Sequence, residues 1–88
     1  MTELSTSGGA APGDLTPEQA TQVDVAEYEL RRLGLAEARV LHRGDLAIID
    51  APARDLSLIA NSPLRGEVLR AVSAAGFAHV ALDLSGRA

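Results

Sequence analysis

Between Ala38 and Asp50 the chain reads Ala-Arg-Val-Leu-His-Arg-Gly-Asp-Leu-Ala-Ile-Ile-Asp. Two short apolar runs flank Arg43-Gly44, and a glycine-containing break between such runs is the pattern of a β-hairpin. With Arg43-Gly44 as the loop, Leu41 is expected opposite Leu46, Val40 opposite Ala47, Arg39 opposite Ile48 and His42 opposite Asp45. Alternation then places Ala38, Val40, His42, Asp45, Ala47 and Ile49 on one face and Arg39, Leu41, Leu46 and Ile48 on the other. Both faces are largely apolar. A simple two-layer domain wets one face of its sheet, so this double apolarity needs a reason.

The flanking segments supply helices. Thr16-Pro17-Glu18-Gln19 carries a cap, a first-turn proline and a glutamine that completes a capping box. Val23, Ala26, Leu30 and Leu33 follow at helical spacing and form one face, with Glu27 and Arg31 expected to pair on the other side. Gly34 ends this helix, and Leu35 is expected to fold back on Leu30. Pro52 to Ala60 reads as a short helix burying Leu56 and Ile59. Ser62-Pro63 starts another, capped by Ser62, with Leu64, Val68, Leu69, Val72 and Ala75 inside. Gly76-Phe77 repeats the glycine-then-apolar stop. His79 to Leu84 alternates and reads as a third strand, with Val80, Leu82 and Leu84 on one face and His79, Ala81 and Asp83 on the other. Residues 85–88 are expected to fray.

The order helix, strand, strand, helix pair, strand predicts a small α+β domain over residues 15–88. A right-handed crossover is expected to bring the third strand beside the first, giving order 2-1-3. The expected domain resembles an incomplete ferredoxin-like sandwich, a three-stranded sheet with helices on one face, and either face is open to being the covered one. Residues 1–14 are rich in Thr, Ser, Gly, Ala and Pro and read as a disordered tail. Within it, Ser7-Gly8-Gly9 has the look of a pyrophosphate-binding loop but lacks the preceding strand and following Asp-Ser.

Eight basic residues, all arginines and scattered, face twelve acidic ones for a net charge of −4. That balance argues against nucleic acid, which is bound through clustered positive charge. The 88 residues contain no cysteine, which excludes disulfides, thiol catalysis and cysteine metal sites. No secretory signal and no membrane span are expected, and cytoplasm is the default location. The aromatics are Tyr28 and Phe77 alone, so the core rests on aliphatic side chains. Below ~70–80 residues such a core supplies only ~3–5 kcal/mol, which makes assembly with another chain an expected source of stability.

The polar residues offer few constellations. His42 and Asp45 are expected to face each other across the turn, as a turn-stabilising pair before a catalytic one, since no nucleophile accompanies them. Adding His79 and Asp83 gives a possible metal set whose spacing is not diagnostic, and neither metal nor cofactor is expected. Arg54, Arg65 and Arg70 fit solvated helix faces. Arg39 sits mid-strand among apolar residues, which points to a carboxylate partner or an anion. Arg39, His42 and Arg43 are therefore the candidate anion-binding residues.

Arg39-Val40, His42, Gly44-Asp45-Leu46-Ala47, Ile49, Leu64-Arg65, Glu67-Val68, Gly76-Phe77, Val80, Leu82-Asp83-Leu84 and Gly86 together resemble the C-terminal domain of the ATP-dependent sacrificial sulfur transferases, the LarE family. The resemblance runs from Val23 to Gly86. In that family the hairpin commonly reads Arg-Val-Arg-His-His-Gly-Asp-Leu-Ala-Arg-Ile-Glu, and the last strand leads into Leu-Asp-Leu-Glu-Gly-Tyr-Arg-Ser-Gly-Ser. The resemblance implies a domain that follows an ATP-pyrophosphatase domain, helps build an oligomer and contributes basic residues near an active site. Nothing here matches the ATP-binding domain, the donor cysteine or the family's closing segment, so catalysis by these residues alone is not expected. Of the hairpin arginines only Arg39 remains, Leu41 and Ile48 standing at the other two positions. The basic face has become apolar. Leu41, Leu46 and Ile48 are accordingly the expected interface, made by self-association or by docking on an ATP-pyrophosphatase-type partner. The alternative is a small anion- or nucleotide-binding module.

Overall fold

The structure, a computed structural model, describes residues 15–87. The expected tail and its Ser7-Gly8-Gly9 motif lie outside the described residues. Helix α1 spans Pro17–Arg32, strand β1 Arg39–Arg43 and strand β2 Leu46–Asp50. A 3-10 turn, Ala53–Asp55, runs into α2 (Leu56–Ala60), followed by α3 (Leu64–Ala74) and β3 (His79–Leu82). The result is an α+β domain with a three-stranded sheet, and its element order is that of a β-α-β-β-α-β unit without the first strand.

α1 begins as its sequence dictates. The Thr16 hydroxyl accepts the Gln19 N–H at 3.1 Å while Gln19 Oε1 accepts the Thr16 N–H at 3.0 Å, so two of the first-turn donors are satisfied reciprocally. It ends in a Schellman motif. Gly34 takes φ +93°, its N–H reaches the Arg31 carbonyl at 3.0 Å, and the Leu35 N–H reaches the Leu30 carbonyl at 2.9 Å. Ala26 and Leu30 are fully buried, with Val23 and Leu33 packed beside them. α3 buries Val68 and Val72. Its start departs from the expectation: Pro63, not Ser62, occupies the cap position, and no side chain caps it. Leu69, expected inside, is 38% exposed.

The hairpin is displaced by one residue from the predicted register. Arg43 pairs with Leu46, His42 with Ala47, Leu41 with Ile48, Val40 with Ile49 and Arg39 with Asp50, so the loop is Gly44-Asp45. The reason is conformational. Hairpin turns of two residues need positive φ at their first position; Gly44 adopts +61°, whereas the predicted loop would have forced Arg43 there. Moving the loop by one residue moves each partner by two, so the division between faces is unchanged.

The strand order is β1-β2-β3, with β1 and β2 antiparallel and β2 and β3 parallel. This corrects the expected order 2-1-3. β3 pairs with β2 on the side away from β1, and at β1's free edge the Val40 N–H donates to the Glu27 carboxylate of α1 at 2.8 Å. At the other side of the hairpin, the Asp45 carbonyl accepts the N–H groups of Ala78 and His79 at 2.9 and 3.1 Å and starts β3 beside β2. Glu27 is thus committed to the sheet and does not form the expected pair with Arg31; Glu29 and Arg32 form the ion pair on α1 instead, at 3.4 Å.

Val40, Ala47 and Ile49 are buried under the helices with Leu30, Val68, Val72 and Phe77. The helices therefore cover that face of the sheet, and the face bearing Arg39, Leu41, Leu46 and Ile48 is the open one. The segment after β3 is tied down rather than frayed. The Arg87 N–H donates to the Ala51 carbonyl at 3.0 Å, the Ala53 N–H donates to the Arg87 carbonyl at 2.8 Å, and Arg87 Nε lies 3.2 Å from Asp50 Oδ1.

Candidate interaction surface

The open sheet face is built by alternation. β1 contributes Arg39, Leu41 and Arg43, β2 contributes Leu46, Ile48 and Asp50, and the register of β3 adds His79 beside Leu46 and Ala81 beside Ile48. Leu41, Ile48 and Ala81 form a row across the three strands. Leu41 is 40% exposed and Ala81 is exposed, while Leu46 and Ile48 are half-buried by their neighbours. The three residues predicted as an interface, Leu41, Leu46 and Ile48, therefore lie together on the face the helices leave uncovered.

Charges flank Leu41 at one end of this row. Arg39 and Arg43 are both exposed on β1, about 13 Å apart along the strand. Arg39 stands opposite Asp50, but Asp50 is held by Arg87, whose Nη2 also reaches the Asp50 carbonyl at 2.9 Å. Neither Arg39 nor Arg43 has a carboxylate within ion-pair distance among the described residues; each guanidinium meets only a backbone carbonyl, Ala38 at 3.4 Å and His42 at 3.1 Å. Nearby, Arg54 pairs with Glu37, and Arg87 donates to the Glu37 carbonyl.

His42 belongs to the other face. It is half-buried, its Nε2 lies 2.9 Å from Gln22 Oε1 on α1, and its ring meets Phe77 edge-on at 5.1 Å. The structure thus separates His42 from Arg39 and Arg43, and those three do not converge on one pocket. Nor does His42 face Asp45 as predicted: Asp45 lies in the turn and His42 opposes Ala47. His79 is on the open face, and Asp83 binds its own loop by accepting the Ser85 N–H at 2.9 Å. Among the described residues no group of His and carboxylate side chains is placed to hold a metal ion.

No family model matches the chain. Over 73 residues the chain is 34% identical to the uncharacterized protein slr1717 of Synechocystis sp., a stretch that covers 83% of this chain and 27% of that relative. The chain thus spans little more than a quarter of the relative it matches. Among the described residues, no helix is long and apolar enough to cross a membrane.

One further feature was not legible from spacing. Along the outer edge of β3 runs a groove of about 210 Å³ lined by Ile59, Arg65, Leu69, Val80 and Leu82. It arises because α3 turns Leu69 toward the strand edge rather than into the core. Its apolar lining and single arginine offer no convergent set of polar groups for a specific small ligand.

Proposed function

We propose that this chain is a non-catalytic assembly or accessory module related to the C-terminal domain of the ATP-dependent sulfur transferases. It acts by self-association or by docking on an ATP-pyrophosphatase-type partner, as a cytoplasmic protein. The observation that carries this reading is the row Leu41, Ile48 and Ala81 on an uncovered sheet face. An apolar row whose Leu41 end is flanked by two arginines, on a domain with so small a core, is what a contact surface requires.

Two observations support it. The residues shared with the family lie on the hairpin, on α3 and β3 and in the loops that follow them, the parts that build this face and its support. The stretch matched in the Synechocystis relative is 27% of that protein, as befits one module of a longer chain. The absence of cysteine from these residues sets aside the family's sulfur donation from this segment.

Sedimentation velocity at micromolar concentration tests the reading, with and without a purified ATP-pyrophosphatase domain of the sulfur-transferase type. The expected result is an assembly larger than one chain, or co-sedimentation with that domain. A strict monomer in both conditions overturns it.

A further inference from the structure

We infer that the open sheet face receives the outer stripe of α1 from a second copy, so that copies associate head to tail. The inference rests on the self-association reading above and specifies its geometry.

The receiving surface is narrow. Three strands about 4.8 Å apart and four or five residues long, at about 3.3 Å each, present a patch of roughly 10 by 15 Å. That is the width of one helix, about 10 Å. A helix, which also reaches the turn and rim around the patch, is the better occupant.

The chain carries such a helix surface. On the side of α1 opposite buried Ala26 and Leu30, Thr21, Val25 and Tyr28 form a stripe with i, i+4, i+7 spacing. Val25 is 43% and Tyr28 55% exposed, and the Arg31 guanidinium packs over the Tyr28 ring at 6.0 Å. Nothing within the described fold covers this stripe, and α1 cannot turn it to its own open face because its inner side is fixed on the other face of the same sheet.

The charges are opposite in sign. Arg39 and Arg43 bracket Leu41 without a carboxylate partner among the described residues, in a chain that is acidic overall. Beside its apolar stripe α1 exposes Glu18 and Asp24, also without an ion-pair partner among the described residues, while the basic residues at the far end of the stripe are engaged within the helix, Arg31 over the Tyr28 ring and Arg32 with Glu29. Val25 and Tyr28 over Leu41 and Ile48, with these carboxylates toward the β1 arginines, joins apolar to apolar and acid to base. Because donor and acceptor are different surfaces, the contact is heterologous and each copy uses both.

Sedimentation velocity on Tyr28→Arg and Leu41→Arg, separately and mixed, tests this, with circular dichroism to confirm the fold. Ala81→Arg, at an exposed position on the same face, replaces Leu41→Arg if that variant unfolds. Wild type is expected to form species larger than a dimer, and each variant alone to be monomeric at the same concentration, at least tenfold weaker in association. The two mixed are expected to form a dimer and nothing larger, since each retains the surface the other lacks. If only the sheet variant dissociates, or only the helix variant, or the mixture stays monomeric, the head-to-tail contact is overturned while self-association stands. A wild type that is monomeric at every concentration overturns the contact and self-association together.

Discussion

The carboxylate of Glu27 accepts the backbone N–H of Val40 at 2.8 Å, joining the middle of α1 to the outer strand of the sheet. A sheet edge presents unpaired N–H and C=O groups that invite another strand. Here a helix side chain takes one of them, and β3 builds on the far side of β2. One contact thus ties the seat of α1 to the edge strand.

Glu27→Ala is expected to destabilise the domain by about 1–3 kcal/mol, the cost of leaving a buried donor unpaired. Glu27→Gln keeps an acceptor and is expected to cost less. Urea unfolding followed by circular dichroism measures both. Equal stability of wild type and Glu27→Ala would mean that the edge N–H has another partner in solution.

A second prediction concerns Gly86. Its φ is +67°, and a Cβ there would lie 2.9 Å from Ala53 Cα. Gly86→Ala is therefore expected to cost about 1–3 kcal/mol through backbone strain and to loosen the strap that joins Arg87 to Ala51 and Ala53. Arg87→Ala removes the Asp50 ion pair, whose side chains are 40% and 27% exposed, and the guanidinium's bonds to the Asp50 and Glu37 carbonyls, but leaves the bonds of its own backbone in place. After allowing for solvent screening, the ion pair itself is worth under about 1 kcal/mol. Thermal melts should therefore rank Gly86→Ala below Arg87→Ala, and amide exchange at Ala53 should quicken more in the former.

What could be read from sequence follows how far apart the interacting residues lie. The capping box of Thr16 and Gln19 and the Gly34 stop are settled within a turn of helix, and both were visible. The division of hairpin faces was also visible, because it depends only on alternation. The turn was misplaced by one residue because both Arg43-Gly44 and Gly44-Asp45 place a glycine in the loop, and only the demand for positive φ at the first position separates them. The partners of Glu27 and Arg87 were out of reach. Glu27 has Arg31 one turn away but bonds Val40, 13 residues on, and Arg87 reaches back 37 residues to Asp50. His42 likewise had Asp45 nearby in sequence, yet it packs on Phe77 and Gln22 because its side of the sheet is the covered one. The candidate site was half legible: alternation grouped Leu41, Leu46 and Ile48, but only the packed helices show that their face is the uncovered one.

Stability should be limited by the core. Leu30 is fully buried at the centre of the cluster, and Leu30→Ala is expected to cost about 2–5 kcal/mol. Against the ~3–5 kcal/mol a core of this size provides, that is enough to unfold much of the population at 37 °C. Leu84→Ala serves as the control, since Leu84 is 80% exposed and its truncation is expected to change stability by less than about 0.5 kcal/mol. A cooperative melt of Leu30→Ala near that of wild type would show that assembly supplies more of the stability than the core does.

The two faces of the hairpin should respond in opposite ways to the same change. Val40 and Ile49 are buried among the helices, whereas their strand neighbours Leu41 and Ile48 point to the open side. Val40→Arg with Ile49→Arg drives two unpaired charges into the core and is expected to abolish the helical signal. Leu41→Arg with Ile48→Arg places the same side chains, the ones common in the resembling family, where their stems can lie along the sheet and their charges reach water. The helical signal is then expected to persist. What is lost is the burial of two apolar side chains against a partner, worth about 1.5–3 kcal/mol each. Since each 1.4 kcal/mol is about tenfold in affinity, association should weaken by roughly 100-fold or more. Arg39→Ala is expected to be milder, because among the described residues its guanidinium meets only the Ala38 carbonyl. Circular dichroism and sedimentation on the same samples separate the two effects. Unfolding of the open-face double variant, at a concentration where wild type is a folded monomer, would make that face part of the core and remove it as a contact surface.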